Sequence, residues 1–149
     1  MIGLLQRVST ASVTVDGETV AGIGPGLLVL VGVEKRDGEP QAERLVERLL
    51  GYRVFPDEAG RMNRNLVEHG GGLLLVPQFT LAADTKKGMR AGFSTAAEPP
   101  DGERLFEYLV SRAASRHPHV QTGRFGAHMQ VALVNEGPVT FWLRAAPPG

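Results

Sequence analysis

Residues 12–33 read SVTVDGETVAGIGPGLLVLVGV, and this stretch decides the fold class. Asp16-Gly17 separates two runs rich in β-branched residues, which is the pattern of a β-hairpin. A second turn, Gly24-Pro25-Gly26, leads into the aliphatic run 27–33. A strand with such continuous aliphatic content is typically covered on both faces, so we expect it in the middle of the structure.

Two amphipathic helices are predicted downstream. Apolar residues recur at helical spacing over residues 42–50, with Asp37 as the predicted N-cap and Gly51 as the stop. A second helix is predicted from about residue 102 to residue 116, with Asp101 as its N-cap.

The remaining segments complete a β-rich pattern. Residues 56–72 are predicted to be a polar loop. Further strands are predicted at residues 4–8, 12–15, 53–55, 73–76, 130–134 and 139–143. Two helices against many hairpin-connected strands indicate a single α+β domain over residues 1–149, with a mostly antiparallel, barrel-like sheet and a frayed tail at 145–149.

The composition is that of an ordinary globular protein. The 149 residues include no cysteine, which excludes thiolate metal sites and cysteine nucleophiles. No apolar run approaches the roughly 20 residues of a membrane span, and the first residues lack a signal-peptide pattern, so we expect a cytoplasmic protein with no membrane partner. Sixteen basic and sixteen acidic residues cancel, so no bulk positive field draws the chain to nucleic acid.

Two common ligand-binding patterns are absent from the sequence. The glycines at 22–26 precede a strand, whereas a phosphate-binding loop needs a helix to begin directly after them, so we interpret them as a turn. The four histidines form no HExxH pattern, and the close pair His117 and His119 is interpreted as solvent-exposed side chains. We therefore predict neither a metal site nor a cofactor.

Two segments remain as candidate sites. In Leu75-Val-Pro-Gln-Phe-Thr-Leu81 an aliphatic strand ends in polar residues before a loop, where sites are often assembled. In Val134-Asn-Glu-Gly-Pro-Val-Thr140 the Gly-Pro pair either makes a simple turn or lets a backbone approach a ligand closely. From the residues alone, the structural reading of each segment is the stronger one.

These segments, with Gln6-Arg7-Val8 and Gly123-Arg-Phe-Gly-Ala-His-Met129, resemble the D-aminoacyl-tRNA deacylases of bacteria and eukaryotes. The resemblance runs from Met1 to about Leu143. It implies a homodimer whose two active sites lie at the interface, with a cis Gly137-Pro138 pair reaching into the partner's pocket. Arg7 would hold that pair.

The resemblance also implies the reaction, which is hydrolysis of the ester between a D-amino acid and tRNA, and of glycine mischarged on tRNA-Ala. L-Amino acids would be excluded sterically. Backbone N–H groups at Phe79 and Thr80, with Gln78, would bind the oxyanion, while the terminal ribose 2′-hydroxyl helps to activate water. Phe125 and Met129 would pack against the terminal adenine.

One position departs from the family, because Pro77 stands where serine is usual, and this leaves the substrate range open. Two other functions also stay open at this point. One is a general esterase that uses Thr80 as a covalent nucleophile, and the other is a non-enzymatic module that binds RNA ends.

Overall fold

The computed structural model describes residues 1–148 and contains one six-stranded mixed sheet, a small two-stranded sheet and three α-helices. A single 3-10 turn, Phe79–Ala82, follows the sixth strand. The elements, in chain order, are β1 Ile2–Val15, β2 Glu18–Ile23, β3 Gly26–Gly32, α1 Glu39–Gly51, β4 Phe55–Pro56, β5 Met62–Arg64, α2 Leu66–His69, β6 Gly72–Pro77, α3 Pro99–Arg116, β7 Val120–Thr122 and β8 Gln130–Arg144.

Strand β1 organises the main sheet. It pairs antiparallel with β3 through its first half, with β2 through its second half, and with β8 along most of its length. Strands β3, β6 and β7 are parallel neighbours. The Gly22 N–H of β2 donates to the Gln121 side-chain oxygen of β7 at 2.8 Å, so the two ends of the sheet meet and form a nearly closed barrel. The predicted α+β class is confirmed.

The core lies on both faces of β3 and β6. Alternate residues such as Leu27 and Leu73 pack toward α1 and α3, while Leu28 and Leu74 pack into the barrel interior. All four side chains are essentially inaccessible to solvent. Burial on both faces explains the continuous aliphatic run at 27–33, as the sequence predicted.

Several predicted boundaries are wrong. Strands predicted at 4–8 and 12–15 form one strand, because β1 changes partner from β3 to β2 without ending. Strands predicted at 130–134 and 139–143 likewise belong to one strand, β8. The predicted polar loop 56–72 contains a short hairpin and the one-turn helix α2.

Both predicted N-caps are also wrong. Gly38 caps α1, and the Asp37 carboxylate instead accepts hydrogen bonds from the Met1 ammonium at 2.8 Å and the Glu34 N–H at 2.7 Å. Helix α3 begins at Pro99 with Glu98 as its N-cap, which places Asp101 within the first turn. The true starts carry local signals that the prediction did not use, which are the bond from the Gly38 N–H to the Gln41 side chain in α1 and the pair Pro99-Pro100 in α3.

Two further residues, His117 and Ala145, are more buried than the sequence predicted. His117 is not solvent-exposed but 3% accessible, and one of its ring nitrogens lies 2.7 Å from the Gly71 carbonyl oxygen. Ala145, in the predicted tail, is buried and exchanges backbone hydrogen bonds with Met1. Gly149 lies outside the described residues. Within residues 1–148 no helix has the length and apolar character needed to cross a membrane.

Candidate active site

A cavity of about 500 Å³ opens where the parallel strands β3, β6 and β7 end. The carboxyl ends of parallel strands meet at one edge of a sheet, and the segments that follow them form the usual place for a ligand. Here Val31 closes β3, Gln78 follows β6, and Phe125 follows β7. The first two turns of α3 and residues 93–97 complete the wall.

The 3-10 turn after β6 carries unpaired backbone donors next to this cavity, which Gln78 and Phe79 line and Thr80 does not. Gln78 N–H continues the sheet by donating to the Val31 carbonyl at 2.7 Å. The next two N–H groups, of Phe79 and Thr80, are the first of the turn and therefore have no acceptor within it. They have no other acceptor in the described part of the chain. Two adjacent free N–H groups are the arrangement that stabilises a developing oxyanion.

Gly32 allows this turn to sit directly on the end of β3. A Cβ atom at Gly32 would lie 2.9 Å from the Leu81 Cβ and 3.2 Å from the Gln78 carbonyl oxygen. The contact with Leu81 is closer than real Cβ atoms accept and the contact with Gln78 is tight, so a side chain at Gly32 would displace the turn. Sequence analysis missed this residue because nothing local to Gly32 indicates that the 3-10 turn packs against it.

The Thr80 hydroxyl is held by an amide and has no base beside it. The Gln78 side-chain amide donates to the Thr80 hydroxyl oxygen. No imidazole, carboxylate or amine within residues 1–148 forms a hydrogen bond with that oxygen. An amide is not a proton acceptor of useful strength, so this arrangement orients the hydroxyl but does not activate it as a nucleophile.

The cavity walls are mostly apolar and aromatic. The rings of Phe79 and Phe93 have centroids 5.2 Å apart and stand at the cavity rim, where both are about half exposed. Phe125 packs over Gly102 of α3, whose added Cβ would approach the ring to 3.3 Å. Among the described residues that line the cavity, Glu98 alone carries a charge. Sequence analysis predicted a loop directly after the polar end of the segment 75–81, but it did not predict Phe93 or Glu98 as site residues.

Two residues singled out by the sequence lie beside the cavity in different ways. Pro77 is buried and lines it, and the absence of an N–H at Pro77 leaves the sheet intact because Gln78 makes the bond to β3. Met129 lies outside the cavity lining. Its sulfur is 2.8 Å from where a Cβ of Gly123 would be, next to the barrel interior.

Arg7, Gly137 and Pro138 form a second group, away from this cavity. Asn135 pairs with Val8 and Thr140 pairs with Gln6, so residues 136–139 of β8 oppose Arg7 alone and bulge out of the sheet. We call residues 136–139 the bulge. Gly137 and Pro138 are exposed, the peptide bond between them is cis, and Gly137 has φ +123°.

Arg7 fixes the bulge to the body of the protein. Its Nε donates to the Glu136 carbonyl at 2.9 Å, and its Nη1 donates to the Val54 carbonyl at 2.7 Å. The same arginine lines a second cavity of about 410 Å³ together with His69, which stacks on Phe55 with ring centroids 3.9 Å apart. Burial, and to a lesser extent the positive charge of Arg7, lowers the pKa of His69.

The comparisons with known proteins agree along almost the whole chain. The family model described as D-Tyr-tRNA(Tyr) deacylase matches residues 4–144. The D-aminoacyl-tRNA deacylase of Thioalkalivibrio sulfidiphilus is 68% identical over 148 residues, which are 99% of each chain. The D-aminoacyl-tRNA deacylase of Alkalilimnicola ehrlichii is 64% identical over 147 residues, covering 99% of this chain and 98% of the relative.

Two solved structures share the fold. A protein described as c-Myc DNA Unwinding Element Binding Protein superposes with a TM-score of 0.94 at 34% identity, covering 99% of this chain and 100% of that one. A probable eukaryotic D-amino acid tRNA deacylase superposes with a TM-score of 0.81 at 18% identity, covering 95% and 97%, and this supports the fold alone. The family model and the highly identical relatives cover nearly every residue, and the chain therefore belongs to the D-aminoacyl-tRNA deacylase family.

Proposed function

We propose that this protein hydrolyses the ester bond of D-aminoacyl-tRNA and releases a free D-amino acid and tRNA. The observation that carries the proposal is the pair of free N–H groups at Phe79 and Thr80, in a turn that borders an apolar cavity through Gln78 and Phe79. The free donors suit an ester carbonyl, and the apolar, aromatic walls suit the terminal base of an RNA chain. Charged tRNA is consumed in translation, so the proposed place of action is the cytoplasm.

In the proposed reaction, water attacks the ester carbonyl carbon and the carbonyl oxygen becomes an oxyanion. The N–H groups of Phe79 and Thr80 donate to it, and each such donor contributes about 10²–10³ in rate in enzymes where it has been removed. The carbon–oxygen bond to the ribose then breaks and the ribose oxygen takes a proton. The neighbouring ribose 2′-hydroxyl helps to activate the water by relaying the proton that the water loses to the departing ribose oxygen. Thr80 is not assigned this role, because its hydroxyl has an amide and not a base as its partner.

The proposed source of chiral selection is the bulge of a second subunit. Gly137 and Pro138 protrude on the surface, and the Arg7 hydrogen bonds hold the segment in place. In a homodimer, this segment of each subunit would enter the cavity of the other, where backbone carbonyls accept the substrate's α-ammonium. The cavity would then have room for hydrogen, but not for a side chain, in the L position, and glycine mischarged on tRNA-Ala would be accepted as well.

The terminal adenine has a proposed platform in Phe125, which lines the cavity. Unpaired bases are commonly bound by stacking on aromatic side chains. Met129 would support this platform only indirectly, by packing against Gly123, because its sulfur lies beside that residue and not in the cavity wall. Pro77 makes the wall less polar than the serine that is usual in the family, so the range of accepted amino acids has to be measured for this protein.

The decisive experiment compares the release of D-tyrosine and L-tyrosine from matched charged tRNAs, with the oligomeric state measured by sedimentation. We expect release of D-tyrosine only, by a dimer. Hydrolysis of simple esters that is abolished by Thr80→Ala would instead identify a threonine esterase. Retention of charged tRNA without hydrolysis would identify an RNA-end-binding module. A fully active monomer would contradict the proposed role of the bulge.

A further inference from the structure

A short surface loop beside the cavity carries a concentration of positive charge. We call residues 85–91 the basic loop, and its cations are Lys86, Lys87 and Arg90. All three are exposed, and within residues 1–148 none of them forms a salt bridge. The sequence has no acidic residue between Asp84 and Glu98, so the charge is uncompensated locally although the whole chain has none in excess.

The base of the basic loop is rigid and lies at the rim of the cavity. Asp84 and Gly92 close it by two backbone hydrogen bonds, of 2.8 and 2.9 Å. The 3-10 turn with the free N–H groups ends two residues before the loop base begins, at Ala82, and the Thr95 hydroxyl donates to the Ala82 carbonyl at 2.6 Å. Phe93 follows the loop directly and lines the cavity. Both ends of the loop are therefore tied to the proposed reaction site.

The length of the loop sets how far its charges can reach. An extended chain advances about 3.3–3.6 Å per residue, so the middle of a seven-residue loop extends no more than about 14 Å from its base. Phosphates in one strand of a duplex follow one another about every 3.4 Å along the helical axis, and an unpaired strand can be more extended than that. A strand whose last nucleotide occupies the cavity would thus have only its terminal few phosphates within reach. Met89, at the middle of the loop and fully exposed, adds an apolar surface between the cations.

We propose that the basic loop binds the phosphates of the single-stranded 3′ end of tRNA and holds that end over the cavity. This inference rests on the proposed function. Phosphate contacts fix position without reading bases, which suits an enzyme that must accept many tRNAs. The basic loop would also explain how a chain with no net charge binds RNA, because its three cations provide a local positive charge in place of a positive field over the whole protein.

The test compares two double variants with the same change in net charge. Lys86→Gln with Lys87→Gln alters the basic loop, while Arg44→Gln with Arg61→Gln removes two exposed charges, one on α1 and one beside β5. The kinetics of both variants would be measured with D-tyrosyl-tRNA and with D-tyrosyl-adenosine, which has no phosphates. Thermal unfolding would check that both variants remain folded.

We expect the loop variant to show a raised KM for D-tyrosyl-tRNA with kcat nearly unchanged, and wild-type rates on D-tyrosyl-adenosine. Each single-strand phosphate contact contributes about 0.7 to the slope of log affinity against log salt, so losing two contacts lowers the slope by about 1.4. A fourfold rise in salt should then weaken binding about sevenfold less in the loop variant than in the wild type. The control variant should retain the wild-type slope.

Several results would overturn the inference. An unchanged KM and salt slope in the loop variant would do so, as would an equal effect in the control variant, which would indicate net charge alone. Loss of binding to vesicles of acidic phospholipid with an unchanged KM for D-tyrosyl-tRNA would assign the loop to a membrane surface instead. If wild-type protein hydrolyses neither D-tyrosyl-tRNA nor D-tyrosyl-adenosine, the proposed function itself fails, which is a different outcome.

Discussion

Replacing Gly137 by alanine perturbs the bulge in two ways. Its φ of +123° lies in a region that residues with a Cβ atom rarely adopt, and holding alanine there costs about 1–3 kcal/mol. The added Cβ would also lie 2.6 Å from Arg7 Nη2 and 3.1 Å from Val139 Cγ2. Arg7 cannot withdraw freely, because its Nε and Nη1 are bound to the Glu136 and Val54 carbonyls.

The strain should therefore appear as a displaced bulge. Breaking one Arg7 hydrogen bond adds about 1.5 kcal/mol at the low end for a charged donor, and the low end applies because the bond to Glu136 is exposed. A total of at least about 2 kcal/mol expressed at the substrate would lower kcat/KM about 30-fold or more. Global stability should change less, since residues 136–138 are exposed and can relax into solvent.

The assay is kcat/KM for D-tyrosyl-tRNA, measured beside the urea midpoint of unfolding and the sedimentation coefficient. Gly60→Ala is the matched control, because Gly60 has φ +80° and no atom within 4 Å of its added Cβ. The control carries a comparable backbone penalty of about 1–3 kcal/mol, which an exposed turn can likewise partly relax, and it should keep wild-type activity. Unchanged D-specific turnover in Gly137→Ala, or equal losses of activity in both variants, would refute the assignment of chiral selection to the bulge.

Three further predictions concern the turn, its support and the histidine that stacks on Phe55. Thr80→Ala should lower kcat only partially, well short of the roughly 10⁴-fold or greater loss expected for a nucleophile, and a trapped acyl-enzyme at this residue would contradict that. Gly32→Ala should lower kcat by displacing the turn through the 2.9 Å contact with Leu81, which single-turnover kinetics would detect, and a wild-type rate would contradict it. His69 has a lowered pKa in the folded state, from burial first and then from Arg7, so stability should fall as the pH drops below its unfolded value of about 6.5. In His69→Gln the urea midpoint should lose less between about pH 7 and pH 5 than in the wild type, and an identical loss would argue against this titration.

The elements predicted best from the sequence are those whose stability is local or purely apolar. Helices α1 and α3 were found because one face of each is consistently apolar, and β3 because both of its faces are buried. The cap of α3 was misplaced although Pro99-Pro100 marks its start locally. The cap predicted at Asp37 failed for a tertiary reason, since its carboxylate is occupied by the Met1 ammonium, a residue 36 positions away. No pattern within a short window contains that competition.

The site could be predicted only where its residues are adjacent in sequence. Gln78, Phe79 and Thr80 were identified together, and they do lie together around one turn. Gly32 and Phe93 come from other segments and meet that turn only through the parallel pairing of β3 with β6 and the closure of the basic loop. Their chemistry is ordinary, and only their position makes them part of the wall.

Within one subunit, the bulge with Arg7 lies apart from the cavity beside residues 78–80, and this separation has a physical reason. Steric selection between D and L substrates works only if the excluding wall cannot yield, because an unfavourable contact is otherwise relieved by a small movement. A surface bulge would yield readily if it were held by packing alone. Arg7 binds the bulge at one carbonyl and the body at another, through a planar guanidinium whose donors have fixed directions. The bulge is thus ordered before any partner or substrate arrives, and less of the binding free energy is lost in ordering it. In the proposed dimer, such a rigid segment from the second subunit would exclude a side chain, while the bulge carbonyls that Arg7 does not hold would accept from the α-ammonium that every amino acid carries.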